Sequence, residues 1–343
     1  MSGAHAWGFT DDRGTELGAA RVPRRVIAYV RAGAALCDLG VTPVAVYGSG
    51  HDGEVLDPAK EGGLRAAGVT YLGPGRGLDE GRVRELRPDV IVDVTYDGKS
   101  PYALDEAVAD RIGVPLVALS VGNELTLPAI LDRFGTLAAS LGAGPATVDT
   151  AAHSATAAGG SGTAVDSGRA RAAAVTAASS AAAGVPAHSA AAAVTAASSA
   201  AAGAPARSAT AAVGVSGGLR GAEGLVREAA AASGLAVLAL SGAGPDQVHL
   251  ARPHAWPELA RLAELGVRLV DPGPGPGANW LTADWGRAVE LRPDLVLFDN
   301  RAHAAAPGEA LAGVRSMPWN PETPPSPAAY ARFFRDLAAA LTP

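Results

Sequence analysis

Gly81-Arg82-Val83-Arg84-Glu85-Leu86-Arg87-Pro88-Asp89-Val90 returns later in the chain as Gly286-Arg287-Ala288-Val289-Glu290-Leu291-Arg292-Pro293-Asp294-Leu295. Each copy reads as a short helix, a Pro-Asp turn and the start of an apolar strand, because proline cannot continue a helix and the β-branched run that follows suits a buried strand. A second pair flanks the first: Leu39-Gly40-Val41 matches Leu265-Gly266-Val267. Each half also opens with a strand running into a glycine turn, Val26 to Gly33 and Leu235 to Gly244. The chain therefore reads as one α/β plan used twice.

Working outward, strands are expected at Arg25 to Val30, Pro43 to Tyr47, Asp89 to Val94 and Pro115 to Ser120. The helices between them are expected at Ala34 to Leu39, Gly81 to Leu86 and Pro101 to Arg111. A longer helix, Leu125 to Leu141, carries Leu127, Ile130, Leu131, Phe134, Leu137 and Leu141 at helical spacing and closes the first lobe. Strands alternating with helices predict mainly parallel sheets flanked by helices. From about Gly142 to Gly218 large apolar residues almost vanish, and the Ala/Ser run from Ala172 to Pro186 recurs from Ala191 to Pro205. Such a segment buries too little apolar surface to hold a core. The expected organisation is an N-terminal lobe at 1–144, a low-complexity insert at 145–217, and a connecting helix with a C-terminal lobe at 218–343.

Composition narrows the function. With 28 Lys+Arg against 34 Asp+Glu, a net charge of −6 gives no electrostatic footprint for nucleic acid. The single cysteine, Cys37, excludes an internal disulfide and any multi-cysteine metal site, and it reads as a small buried apolar side chain. No apolar run is long enough for a membrane span. As written, the chain shows neither signal peptide nor lipobox and is expected in the cytoplasm, or outside it if translation starts upstream.

Four stretches, taken in order, carry a resemblance: Phe9-Thr10-Asp11-Asp12-Arg13-Gly14, Pro23-Arg24-Arg25-Val26-Ile27-Ala28, Leu39-Gly40-Val41-Thr42-Pro43-Val44-Ala45-Val46 and Leu86-Arg87-Pro88-Asp89-Val90-Ile91. Together they resemble the ferric-siderophore and cobalamin substrate-binding proteins of ABC importers. The resemblance implies two α/β lobes joined by a helix, of which Gly221 to Ala232 would be the end, and a ligand held in a shallow groove between the lobes. It also implies an ABC permease partner. At the two positions where that family usually carries docking glutamates, this chain has Gly81 and Gly286, with Glu80 and Asp284 close by.

Ligands of open α/β sheets sit beyond the carboxyl ends of the strands. The candidate ligand-binding residues are therefore Tyr29, Arg31, Ser49, His51, Tyr96 and Asn123 in the first lobe, and Gln247, His249, Arg252, Asn279, Trp280, Asn300 and Arg301 in the second. Arginine forks and aromatic walls suit a bulky anionic metal chelate such as a ferric siderophore, haem or cobalamin. Gly273-Pro274-Gly275-Pro276-Gly277 reads as a stiff loop holding Asn279 and Trp280 at the rim, and Trp7 and Trp256 read as packing residues. His249 and His254 lack a third ligand at metal spacing, so no metal site or resident cofactor is expected. Gly48-Ser49-Gly50-His51-Asp52-Gly53 matches a dinucleotide fingerprint in form only, since no apolar helix follows it. No nucleophile elbow or zinc-protease motif is present, so capture without catalysis is expected. The alternative is a cytosolic metallophore-handling or biosynthetic accessory protein, an enzyme included, on the same scaffold.

Overall fold

The structure, a computed structural model, describes residues 7–143, 218–306 and 309–342. The Ala/Ser-rich insert predicted at 145–217 lies outside the described residues. In the first lobe the elements are β1 (Trp7–Thr10), β2 (Glu16–Ala19), β3 (Val26–Tyr29), α1 (Val30–Asp38), β4 (Ala45–Gly48), β5 (Thr70–Pro74), α2 (Glu80–Glu85), β6 (Val90–Thr95), α3 (Glu106–Ile112), β7 (Leu116–Ser120) and α4 (Leu127–Ser140). In the second they are α5 (Leu219–Ser233), β8 (Ala236–Gly242), β9 (Val248–Ala251), α6 (Pro257–Glu264), β10 (Arg268–Leu269), β11 (Trp280–Ala283), α7 (Trp285–Glu290), β12 (Leu295–Asp299), β13 (Arg315–Trp319) and α8 (Pro327–Leu341).

The first sheet runs β5-β4-β3-β6-β7, with every pairing parallel. The second runs β11-β9-β8-β12-β13 with β10 beside β8; its β8, β10, β12 and β13 are mutually parallel, while β9 and β11 join antiparallel. The fold class read from the sequence is the one observed: mainly parallel sheets flanked by helices.

The repeated motif has one physical job in both lobes. Asp89 Oδ2 accepts hydrogen bonds from the Arg24 and Arg25 amides, and the Asp89 amide donates to the Arg25 carbonyl at 2.8 Å. Asp294 repeats this on the Ala236 amide and carbonyl, both at 2.8 Å. The Pro-Asp turn thus pins the strand entering the sheet to the neighbour on which it must register. Arg87 and Arg292, just before each Pro, sit at φ 46° and 48°. Gly40 and Gly266, at φ 89° and 92°, end α1 and α6 in the left-handed conformation that lets the following valine amide reach back to Leu36 and Leu262.

Several boundaries differ from expectation for local reasons. α1 begins at Val30 directly after β3, so Arg31 lies in the first turn of a helix and not in a loop. α3 starts only at Glu106, because the buried Asp93 carboxylate accepts from the Ala103 and Leu104 amides and holds 101–105 as a loop. α4 does more than close the first lobe: Ile130, Phe134 and Leu137 enter the first core, while Leu127 and Leu131 enter the second. α5, whose sequence resembled the end of a connecting helix, packs against α8 in the second lobe. The Phe9-Thr10-Asp11-Asp12-Arg13-Gly14 stretch forms a hairpin clamped to the first sheet, where Asp11 and Asp12 accept from the Ala118 and Ser120 amides of β7.

Candidate functional site

The carboxyl ends of the two sheets face each other, and a buried charge network joins them. Its hub is Glu322, just after β13. Oε2 accepts from the Tyr29 hydroxyl at 2.6 Å and meets Lys60 Nζ at 2.7 Å, while Oε1 meets Arg301 Nη1 at 2.9 Å. Lys60, fully buried at 0% exposure, also meets Asp52 Oδ1 at 2.7 Å. Asp52 in turn accepts from the Ser49 amide and hydroxyl at 2.6 and 2.8 Å. Arg301 forks onto Asp299, which accepts from Ser241 Oγ at 2.6 Å. Two further bonds cross between the lobes: the Ala302 amide to Asp57 Oδ2 at 2.8 Å, and Asn320 Nδ2 to the Ala59 carbonyl at 2.6 Å.

Burial would raise the Glu322 carboxyl, but Lys60 and Arg301, with the Lys60 and Tyr29 hydrogen bonds, overcome it and hold the group at about 2. Glu258, buried at the start of α6, is the opposite case. Desolvation lifts it to about 7, and neither the Arg31 guanidinium nor the Trp319 indole reverses the shift. Arg31 itself donates to the Thr323 carbonyl at 3.2 Å and the Tyr96 hydroxyl at 2.9 Å, so it too bridges the lobes.

Above this floor stands an aromatic wall. Tyr102 meets Tyr29 and Tyr96 edge-on, at ring separations of 5.6 and 4.8 Å. His51 from the first lobe and His303 from the second face each other at 5.9 Å. The exposed Arg76 lies against Gly50, with no hydrogen-bond or ion-pair partner among the described residues. Beside Arg76 and Tyr102 the first lobe carries a cavity of about 590 Å³, also lined by Leu78, Leu104, Val108 and Arg111.

The predicted residues fall into groups. Tyr29, Arg31, Ser49, His51, Tyr96 and Arg301 are brought together at the meeting of the two lobes, and Asn300 is their neighbour at the end of β12. The arginines there do not stand open for an anion, because Arg31 and Arg301 direct their donors at protein groups. Arg252 is committed still further. Its Nε, Nη1 and Nη2 donate to the carbonyls of Gly277, Gly273 and Gly275, and so hold the Gly-Pro loop in shape. Asn279 uses its carbonyl to accept from the Arg252 amide and the Trp256 indole. His249 and Trp280 lie within β9 and β11 rather than in loops after strands; His249 Nδ1 sits 3.0 Å from Thr282 Oγ1, and Trp280 packs 4.8 and 5.9 Å from Trp256 and Trp319. Gln247 is exposed in the turn before β9. Asn123 is elsewhere, lining a cavity of about 120 Å³ with His254, between the start of α4 and α6.

Sequence reasoning missed Lys60, Asp52, Arg76, Tyr102, His303 and Glu322. One signal was available: Lys60 is one of only two lysines in a chain that otherwise uses arginine.

No family model matches the chain, and no curated protein sequence matches it. Solved structures do. DesE, a ferric-siderophore receptor protein from Streptomyces coelicolor, aligns over 98% of this chain and 97% of its own at 22% identity and a TM-score of 0.68. The Fe3+-Desferal-bound siderophore binding protein FhuD from Vibrio cholerae aligns over 93% and 99% at 15% identity and a TM-score of 0.52. A periplasmic heme binding protein from Pseudomonas aeruginosa aligns over 94% and 93% at 15% identity and a TM-score of 0.51. This chain shares the two-lobed α/β fold of these siderophore- and haem-binding proteins.

Proposed function

We propose that the protein captures a metal chelate of the ferric-siderophore or haem kind in the groove between its lobes, without turnover, and delivers it to an ABC permease. The observation that carries this reading is the convergence, at the carboxyl ends of both sheets, of the half-buried Tyr96 and Tyr102 with Arg76, His51 and His303, backed by the fully buried Tyr29. Flat or chelating ligands stack on aromatic faces, and the rigid network beneath keeps the wall in place before the ligand arrives. The cargo of solved structures with the same fold points in the same direction.

The charge pattern refines the ligand. Lys60, Arg31 and Arg301 are matched internally by Asp52, Glu322, Asp299 and polar oxygens, whereas the nearby Arg76 has no such partner among the described residues. A highly anionic chelate would give up hydration without gaining partners, so a chelate of small net charge fits better than the anionic one that the arginine count suggested. Ser49 Oγ donates to Asp52 and not to the His51 ring, so this pair is not arranged as nucleophile and base.

Intrinsic tryptophan fluorescence, titrated with a ferric tris-hydroxamate, a ferric tris-catecholate, haem and cobalamin, tests the proposal. Saturable quenching by the chelate of lower charge, with the ligand recovered unchanged, is expected. Absence of binding across the panel at micromolar concentration would refute it, and a chemically altered ligand would replace capture with catalysis.

A further inference from the structure

We propose that His51 and His303 form a site for a divalent transition-metal ion, shared between the two lobes and bound with its remaining coordination positions open. The imidazoles come from opposite halves of the molecule, His51 from the loop after β4 and His303 from the loop after β12, and their rings stand 5.9 Å apart at 33°. Two imidazoles that share one metal ion at about 2.1 Å per bond bring their ring centres to roughly 5–6 Å, depending on the N–metal–N angle. Both residues are exposed, and neither ring makes a hydrogen bond among the described residues. Their ring nitrogens are therefore available.

The loops that carry the rings are held. The Ser49 amide and hydroxyl are fixed by Asp52, whose second oxygen is fixed by buried Lys60, and the His51 amide donates back to Ser49 Oγ at 3.3 Å. On the other side Arg301 is clamped by Asp299 and Glu322, the Ala302 amide donates to Asp57 of the first lobe, and Ala305 bridges to Gly242. The same network that joins the lobes thus fixes the backbone positions from which the two rings extend, and metal binding has only the two side chains left to order. No group of three metal-ligating side chains occurs among the described residues, so water or a small chelator must complete the shell. Imidazole donors of this kind suit Ni2+ and Zn2+ better than the hard cations Mg2+ or Ca2+. The site does not depend on which chelate the groove takes.

Isothermal titration of the full-length protein with Ni2+ and Zn2+, paired with thermal melting, tests the inference. One ion per chain is expected, with a melting temperature that rises with metal concentration, because binding across the lobes stabilises the folded state by mass action. His51→Gln and His303→Gln should each weaken binding at least ~10-fold, the double variant little further, and His254→Gln not at all. Non-additivity of the two cross-lobe variants is the signature of one shared ion. If either single variant binds like the parent, or if losses simply add, the two rings do not share a metal and the inference fails. Melting in the absence of metal shows whether each variant is folded, and replacement by Gln keeps the size of an exposed side chain.

Discussion

Replacing Lys60 by methionine is the most demanding test of the inter-lobe network. The ammonium is completely buried and bridges Asp52 and Glu322 at 2.7 Å each, so Lys60→Met leaves two carboxylates in a water-poor setting. Breaking a buried ion pair by deleting one partner costs about 3–5 kcal/mol. Here the residual partners limit the damage: Glu322 keeps Arg301 and Tyr29, and Asp52 keeps the Ser49 amide and hydroxyl. The expected loss is therefore near the lower end, about 3 kcal/mol, or roughly a 6–12 °C fall in melting temperature at 2–4 °C per kcal/mol for domains of this size class. The pH dependence has a definite sign. In the parent, Glu322 titrates at about 2, below its unfolded value of 4.5, so its contribution is present above pH 4.5 and lost as pH falls through that interval toward 2. Without Lys60 the Glu322 value rises, so the cost of the substitution should be largest near pH 7 and shrink toward pH 4, as the stranded carboxylates take up protons. Denaturant midpoints of parent, Lys60→Met, Glu322→Gln and the double variant at pH 7 and pH 4 give the measurement. A Lys60→Met loss below 1 kcal/mol at pH 7, or one that grows on acidification, refutes the account.

Glu258 titrates near 7, above its unfolded 4.5, so it contributes stability at low pH that is lost as pH rises from 4.5 through 7; Glu258→Gln should flatten that decline between pH 5 and 8 in thermal melts. Gly75→Ala would drive a methyl group into the Ala103 carbonyl and to 3.0 Å from the Gly48 carbonyl, both backbone atoms that cannot swing away, and should cost a few kcal/mol in denaturant unfolding. Tyr102→Ala removes the ring that joins Tyr29 to Tyr96; it should weaken chelate binding at least ~10-fold, about 1.4 kcal/mol, in the fluorescence titration, and the loss of two edge-on contacts of about 0.5–1.5 kcal/mol each should also lower the melting temperature of a variant that still folds. Arg252→Lys cannot reach the three carbonyls of Gly273, Gly275 and Gly277 at once, and should shift tryptophan emission by displacing the Gly-Pro loop that leads into Trp280 at the start of β11.

The fold was legible because its signals are local. The repeated Arg-Pro-Asp turn, the Leu-Gly-Val helix ends at Gly40 and Gly266, and the short apolar strands each state a backbone preference within a few residues, and their duplication declares two lobes. Sequence alone also placed Tyr29, Arg31, Ser49, His51, Tyr96 and Arg301 at strand ends that do converge. What it could not decide is which charges neutralise which. Arg252, Arg301 and Arg76 look alike in the sequence, yet one holds a glycine loop, one is locked to Asp299 and Glu322, and one has no partner among the described residues. Lys60 and Glu322, or His51 and His303, lie more than two hundred residues apart, and only the docking of two separately built sheets brings the first pair to 2.7 Å and the rings of the second to 5.9 Å. Periodicity records which face of an element is buried; the electrostatics of a groove depend on pairings across the fold, and those exist only once the lobes have met.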